Sequence, residues 1–341
     1  MADLKPGAFT GSKEAGNPYD GDLGKGIAYD TYEANFSQIV QERDFPRIIG
    51  GYRAGARKLV KYSNFSDGNN VLDVGSGTGI LTLELLTKRP VWINVTGIEM
   101  SEGMLNTAKY KFHQEKGEEL LIQVKDERLL EYWKTFRQET QRYSEMVKFV
   151  QGDIQTINEI ADESIDAAIA NQVVHWTDLS RSFSNLSRML KSGGEFVWNS
   201  ASHWYNDASY PAKEYSFRFN DFLKYVLEEV GKSVEVKDIY TLPTPKHNLE
   251  SIKAASAEQG LETEQVATYL LPVDLQLFVQ NHVPICVKQL VVDQEIKNLS
   301  DDLIARLTRE AVAKAINDPK ALGDIQHKYD IVPVFKSVKV R

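Results

Sequence analysis

Two acids, Asp73 and Glu99, and three alternate glycines, Gly75, Gly77 and Gly79, have the residue types and spacing to hold a nucleoside that carries positive charge. In Val71-Leu72-Asp73-Val74-Gly75-Ser76-Gly77-Thr78-Gly79-Ile80-Leu81 an apolar run ends near an acid and breaks into glycines. That pattern is a buried strand turning abruptly into a helix. A Cβ in such a turn would hold the backbone away from a ligand, and a helix beginning near Thr78 would present N–H groups to it. Glu99 closes a second apolar run, Trp92-Ile93-Asn94-Val95-Thr96-Gly97-Ile98. An acid at that remove from a glycine turn takes both hydroxyls of a ribose. Spacing then separates two kinds of ligand, because a dinucleotide turn reads G-x-G-x-x-G whereas this one reads G-x-G-x-G, with Asp73 two positions before the first glycine. An anion at Asp73 repels a pyrophosphate and attracts an ammonium or sulfonium. An NAD-dependent oxidoreductase is therefore disfavoured as an alternative.

The elements that must position these residues follow in chain order. A helical pattern covers 45–62, and Ser66-Asp67-Gly68-Asn69-Asn70 is turn chemistry leading into the first strand. Ser101 is a plausible N-cap, with Met104, Leu105 and Ala108 on the apolar side of the helix it opens. Between 113 and 146 the chain exceeds what a βα connection needs. Leu129, Leu130, Trp133 and Phe136 punctuate charged residues there, so an inserted helix or helical pair with a solvated face is expected. Met146 to Ile154 reads as a third strand closing in Gly152-Asp153, and Ser164 to Asn171 as a fourth. The fourth delivers Asn171-Gln172-Val173-Val174-His175-Trp176 to its C-terminal end, where open α/β sheets bind ligands. Arg188 to Trp198 is a helix end, a glycine turn and a fifth strand. A helix and sixth strand follow over 249–273, and 331–340 is the final strand, in which Pro333 suits a sheet edge or strand start.

The D-V-G-S-G-T-G turn resembles motif I of the class I S-adenosylmethionine-dependent methyltransferases, and the spaced acid, the G-D pair and L-K-S-G-G-E before the fifth strand extend the likeness over about 65–200. The resemblance implies an α/β fold: a Rossmann-like, seven-stranded sheet with helices on both faces and an α-helical cap. It implies S-adenosyl-L-methionine as cofactor, with Asp73, Gly75, Ser76, Gly77 and Gly79 at its methionine part and Glu99 at the ribose. Met100 would pack on the adenine ring, Asp153 accept from the adenine amino group, and the Ile154 amide face the ring. Asn171 and Tyr29 complete the expected cofactor site, Tyr29 from a segment that folds over the ligand in comparable small-molecule enzymes. His175-Trp176 looks like a pair found in carboxyl methyltransferases of the plant salicylate and insect juvenile-hormone-acid types, which makes both residues catalytic candidates that orient a carboxylate. Where the nucleophile must be deprotonated, His175 is instead the base of an N- or C-methyltransferase.

On this reading 1–36 is a mobile lid segment and 37–200 the cofactor-binding core with its insertion at about 113–146. Residues 201–248 form a substrate cap, and 249–341 complete the core with a helical insertion at about 275–317. Aromatic residues crowd 204–225, which suits an apolar or aromatic small-molecule substrate. The 341 residues can bury a full core, and the net charge of −8 argues against a nucleic-acid partner. No apolar run is long enough to insert in a membrane, Cys286 is the sole cysteine, and a cytoplasmic setting is expected. No H-E-x-x-H or C-x-x-C is present, so no metal is expected. A non-catalytic S-adenosylmethionine-binding partner subunit remains the alternative from outside enzymology.

Overall fold

A computed structural model of the protein describes residues 51–88, 92–113, 127–200, 248–272 and 329–340, together with the isolated residues 228, 229, 306 and 310. The expected lid (1–36) with Tyr29, nearly all of the cap and the insertion at 275–317 lie outside the described residues.

The described elements run α1 (Gly51–Val60), β1 (Asn70–Val74), α2 (Ile80–Lys88), β2 (Asn94–Glu99), α3 (Glu102–Lys111), α4 (Glu127–Thr140), β3 (Val147–Gln151), β4 (Ile165–Asn171), α5 (Leu179–Met189), β5 (Leu190–Asn199), α6 (Leu249–Ala257), β6 (Leu261–Pro272) and β7 (Tyr329–Lys339). The strands form one sheet in the order β3-β2-β1-β4-β5-β7-β6. Strands β1 to β5 are parallel, and β7 enters antiparallel between β5 and β6. The order reverses direction between β1 and β4, so a crevice opens beyond their carboxyl ends.

Both faces of the sheet are buried, as a parallel sheet requires. On one face Val71, Val95 and Ile169 pack with Leu59, Leu83, Phe112 and Phe136; on the other, Leu72, Val74, Ala168 and Trp198 pack with Phe183, Leu186, Ile252 and Phe335. Asp73 alternates with Leu72 and so shares the face of Val71, beneath α2.

Local chemistry fixes the ends of several helices. The Ser101 hydroxyl accepts the Met104 N–H and Asp178 accepts the Arg181 N–H; Asn248 and Ser251 form a reciprocal capping box on α6. Pro333, expected at an edge or strand start, instead lies inside β7, an inner strand. The pairing with β5 ends at Val334, so Pro333 has a strand neighbour only on the β6 side, where it faces Thr268. Its missing N–H therefore costs no bond to β5.

The inserted helix α4 is clamped to the core. Leu129, Trp133 and Phe136 are fully buried, and Trp133 meets Tyr110 of α3 with ring centroids 5.4 Å apart. Burial of each such side chain stabilises the fold by about 1.5–3 kcal/mol. The expected solvated face is present at Glu131 and Lys134. A polar clamp sits at the other end: Glu84 of α2, fully buried, accepts Arg53 Nε and Arg57 Nε at 2.7 Å each, and Arg53 Nη2 reaches Glu139 of α4 at 2.7 Å. Burial works against the charge on Arg53, but Glu84 and then Glu139 outweigh it and hold the guanidinium above its ordinary pKa.

Candidate active site

The chain leaves β1 at Val74 and turns through three glycines, all with positive φ: Gly75 at 64°, Gly77 at 53° and Gly79 at 84°. The helix begins at Ile80, two residues later than expected, because Gly77 and Thr78 are part of the turn. The glycines serve different ends. A Cβ at Gly75 would meet Val173 Cγ2 at 2.5 Å, and one at Gly79 would meet Phe112 Cε2 at 2.8 Å. At Gly77 the nearest atom among the described residues is Met104 Sδ at 4.0 Å, so of these three glycines only Gly77 leaves open space where its side chain would stand.

Glu99, at the end of β2, organises that space. Its Oε2 accepts the Gly77 N–H and its Oε1 the Ser101 N–H, each at 2.9 Å. Each carboxylate oxygen keeps further acceptor capacity, which suits two neighbouring hydroxyls. Burial pushes the Glu99 carboxyl above its ordinary pKa, opposed by the backbone N–H groups it accepts. Asp73 lies deeper and is wholly buried. The Thr82 hydroxyl donates to its Oδ2 at 2.6 Å, while Oδ1 has no partner among the described residues. Burial first, and the nearby Glu99 charge, push its pKa up to about 7 against the Thr82 bond. Ser76 is buried beside it, and its N–H donates to the Ile98 carbonyl at 2.9 Å.

Strand register brings the expected adenine residues alongside. Gly152 N–H donates to the Glu99 carbonyl, and Gln151 Nε2 to the carbonyl of half-buried Met100. Asp153 is half-buried just beyond, where both its oxygens accept from Gln155, and Ile154 is buried below it. Asp73, the glycines, Ser76, Glu99, Met100, Asp153 and Ile154 thus cluster at the ends of β1, β2 and β3.

At the end of β4 the sequence expected Asn171 to face the cofactor; its amide is engaged by the fold. Its Oδ1 accepts Asn199 Nδ2 at 2.9 Å and its Nδ2 donates to the Tyr52 carbonyl at 3.3 Å. Buried Asn199 also donates to Tyr269 Oη at 2.7 Å and accepts the Gln172 N–H at 2.7 Å. Gln172 has φ 63°, a left-handed conformation that costs a non-glycine residue of order 1–3 kcal/mol. His175 lies in a 3-10 turn, Val174–Trp176, with Nδ1 at 3.2 Å from Ser200 Oγ. The side chain of Trp176 lies outside the described residues.

Sequence reasoning missed Asn199, Tyr269, Ser200 and Lys111. Lys111 is fully buried behind the glycine turn, where Nζ donates to Thr78 Oγ1 at 3.2 Å and sits 4.1 Å from the ring centre of Phe136. The insertion thereby supports the turn. The one available signal was the lysine's place on the apolar flank of α3.

Comparison with known proteins agrees with this geometry. Residues 72–198 match the family model described as a methyltransferase domain. The chain is 24% identical over 129 residues, 38% of its length and 34% of the relative's, to the probable S-adenosylmethionine-dependent methyltransferase CRG1 of Saccharomyces cerevisiae. It is 37% identical over 79 residues, 22% of its length and 31% of the relative's, to the ubiquinone/menaquinone biosynthesis C-methyltransferase UbiE of Geobacter sulfurreducens. It is 27% identical over 131 residues, 38% of each chain, to the malonyl-[acyl-carrier protein] O-methyltransferase of Nitrosospira multiformis. The chain thus spans about a third of the length of these curated relatives.

The cofactor of these enzymes, S-adenosylmethionine, fits the residues present: among the described residues there are an open space over Gly77, a doubly anchored carboxylate at Glu99 and a buried carboxylate oxygen without a partner at Asp73. The glycine turn, the sheet order that places it and the matched model together make residues 72–198 a methyltransferase domain similar to those of the S-adenosylmethionine-dependent enzymes named above.

Proposed function

We propose that the protein is an enzyme that transfers a methyl group from S-adenosylmethionine to an oxygen of a small molecule with an apolar or aromatic body. The observation that carries the reading is Glu99, held by the Gly77 and Ser101 N–H groups at the mouth of a turn that only glycine permits. Glu99 holds the ribose, Met100, Asp153 and Ile154 flank the adenine, and Asp73 with the glycine turn takes the ammonium. Bound there, the cofactor supplies a methyl group on a sulfonium, which is open to in-line displacement. The protein's principal task is then positioning, an effect worth up to ~7–11 kcal/mol.

His175 serves the acceptor, and Ser200 sets which proton it carries. When the Ser200 hydroxyl donates to Nδ1, Nε2 carries the ring proton and donates to a carboxylate; when Ser200 accepts, Nε2 takes a proton from a hydroxyl. Trp176 follows in the same turn as a second candidate for the acceptor side. The relatives named above include an O- and a C-methyltransferase, so the oxygen assignment rests on His175 rather than on them. The acidic balance supports a small molecule over a nucleic acid as acceptor.

Calorimetric titration with S-adenosylhomocysteine and with NAD tests the site. The former should bind and the latter should not, and Glu99→Ala should weaken binding by about 1.5–3 kcal/mol. Incubating a metabolite extract with the protein and methyl-labelled cofactor, followed by mass spectrometry, tests the chemistry. A labelled ester or ether is the expected product; binding without any labelled product would make the chain a non-catalytic partner subunit.

A further inference from the structure

Gln172 stands in a conformation that the fold alone does not account for. Among the described residues three non-glycine positions have positive φ. His113 follows the end of α3, where helices commonly terminate left-handed, and Glu163 lies in the exposed turn before β4. Gln172 ends no helix. It follows the last residue of β4, inside the crevice-forming edge of the sheet, and its backbone N–H donates to Oδ1 of buried Asn199. The next residue, Val173, packs where a Cβ on Gly75 would stand, and His175 lies three positions on. Glycine would occupy the position without strain, and asparagine with less. The glutamine side chain is half-buried, and its carboxamide makes no hydrogen bond among the described residues, although it carries two donors and an acceptor.

On the strength of the function proposed above, we propose that Gln172 is a cofactor-binding residue whose carboxamide hydrogen-bonds the amino-acid end of the ligand, the part that carries both an ammonium and a carboxylate. The segment's contact with Gly75 puts it beside the turn that receives that end, and strain is tolerated at Gln172 because the amide must stand there.

Three variants and one probe, S-adenosylhomocysteine, test the assignment by calorimetry and thermal melting. Gln172→Gly relieves the backbone, so its melting temperature should rise by about 2–4 °C, while its affinity for the probe falls roughly tenfold or more. Gln172→Ala lacks the amide but keeps the strain, so it should lose affinity to a similar degree without the thermal gain. Gln172→Asn, which keeps an amide on a shorter stem, should recover part of the affinity. Wild-type binding with unchanged affinity in both the Gly and Ala variants would overturn the inference alone. Failure of the wild type to bind overturns the proposed function and this inference with it.

Discussion

The two sides of the cofactor crevice are built from different materials. On the β1–β3 side, the side chains of the three acids bond residues at most 22 positions away: Asp73 with Thr82, Glu99 with Ser101 and Gly77, and Asp153 with Gln155. On the β4–β5 side they join distant ones. Asn199 meets Asn171 and Tyr269, Asn171 reaches Tyr52, Tyr269 reaches Gly55, and Ser200 meets His175. The first side is a motif, able to form wherever a strand and helix flank the turn. The second is a lattice of amides that exists only once α1, β4, β5 and β6 have packed. Motif chemistry suits a ligand common to a family, and a chain-specific lattice suits the acceptor we propose, with Gln172 the one residue on that side we assign to the cofactor.

The sharpest way to break the comparison is to add one methyl group at two glycines of the same motif. Gly75→Ala would drive a Cβ into Val173 at 2.5 Å with φ at 64°, so it should destabilise the fold by roughly 2–5 kcal/mol from overpacking and strain together. Gly77→Ala meets nothing closer than 4.0 Å, so it should cost about 1–2 kcal/mol of stability for its left-handed backbone and act chiefly on cofactor affinity. Urea denaturation and calorimetry on both variants check this; equal stability losses would show that the motif is uniform after all.

A smaller effect is expected across the crevice. Asn199→Ala leaves the Gln172 N–H, Tyr269 and Asn171 short of partners inside the core, and should cost about 1–3 kcal/mol. S-adenosylhomocysteine affinity should fall less than methyl transfer does if the lattice serves the acceptor. A variant in which both fall equally would erase the distinction between the two sides.

The smallest effect is a pH slope confined to the motif side. The Asp73 carboxyl is raised in the fold to about 7 from 3.8, so the unfolded chain ionises it first. Its contribution to stability is therefore fully present below pH 4 and is lost as pH rises through about 7. Glu99 shifts in the same direction. Melting temperature of the unliganded protein should accordingly carry a falling component between pH 4 and 7, diminished in Asp73→Asn. The ligand's ammonium favours the ionised acid, so affinity for S-adenosylhomocysteine should rise with pH over the upper part of that window, and Asp73→Asn should flatten it. A slope unchanged by the substitution would place the titrating group elsewhere.

The sequence by itself determined the motif side: a strand, three glycines and an acid at fixed spacing are local facts, and local backbone preference and alternation suffice to read them. It also marked β3, β4, β5 and the Ser101 cap of α3, since a capping residue acts within one turn of itself. Tertiary structure decided the place of β7 between β5 and β6 and set Pro333 in an inner strand, just past its last pair with β5, because pairing between residues so far apart in the chain leaves no local trace. It also decided that Gly77, rather than Gly75 or Gly79, opens onto the ligand space. Asn171 was read as a ligand residue from its place at a strand end, but its amide binds Asn199 and Tyr52, residues that only packing brings near. Buried amides, a strained Gln172 and a lysine hidden behind the turn carry no periodicity of their own. Each is defined by the partner it meets, and the partner is chosen by the fold.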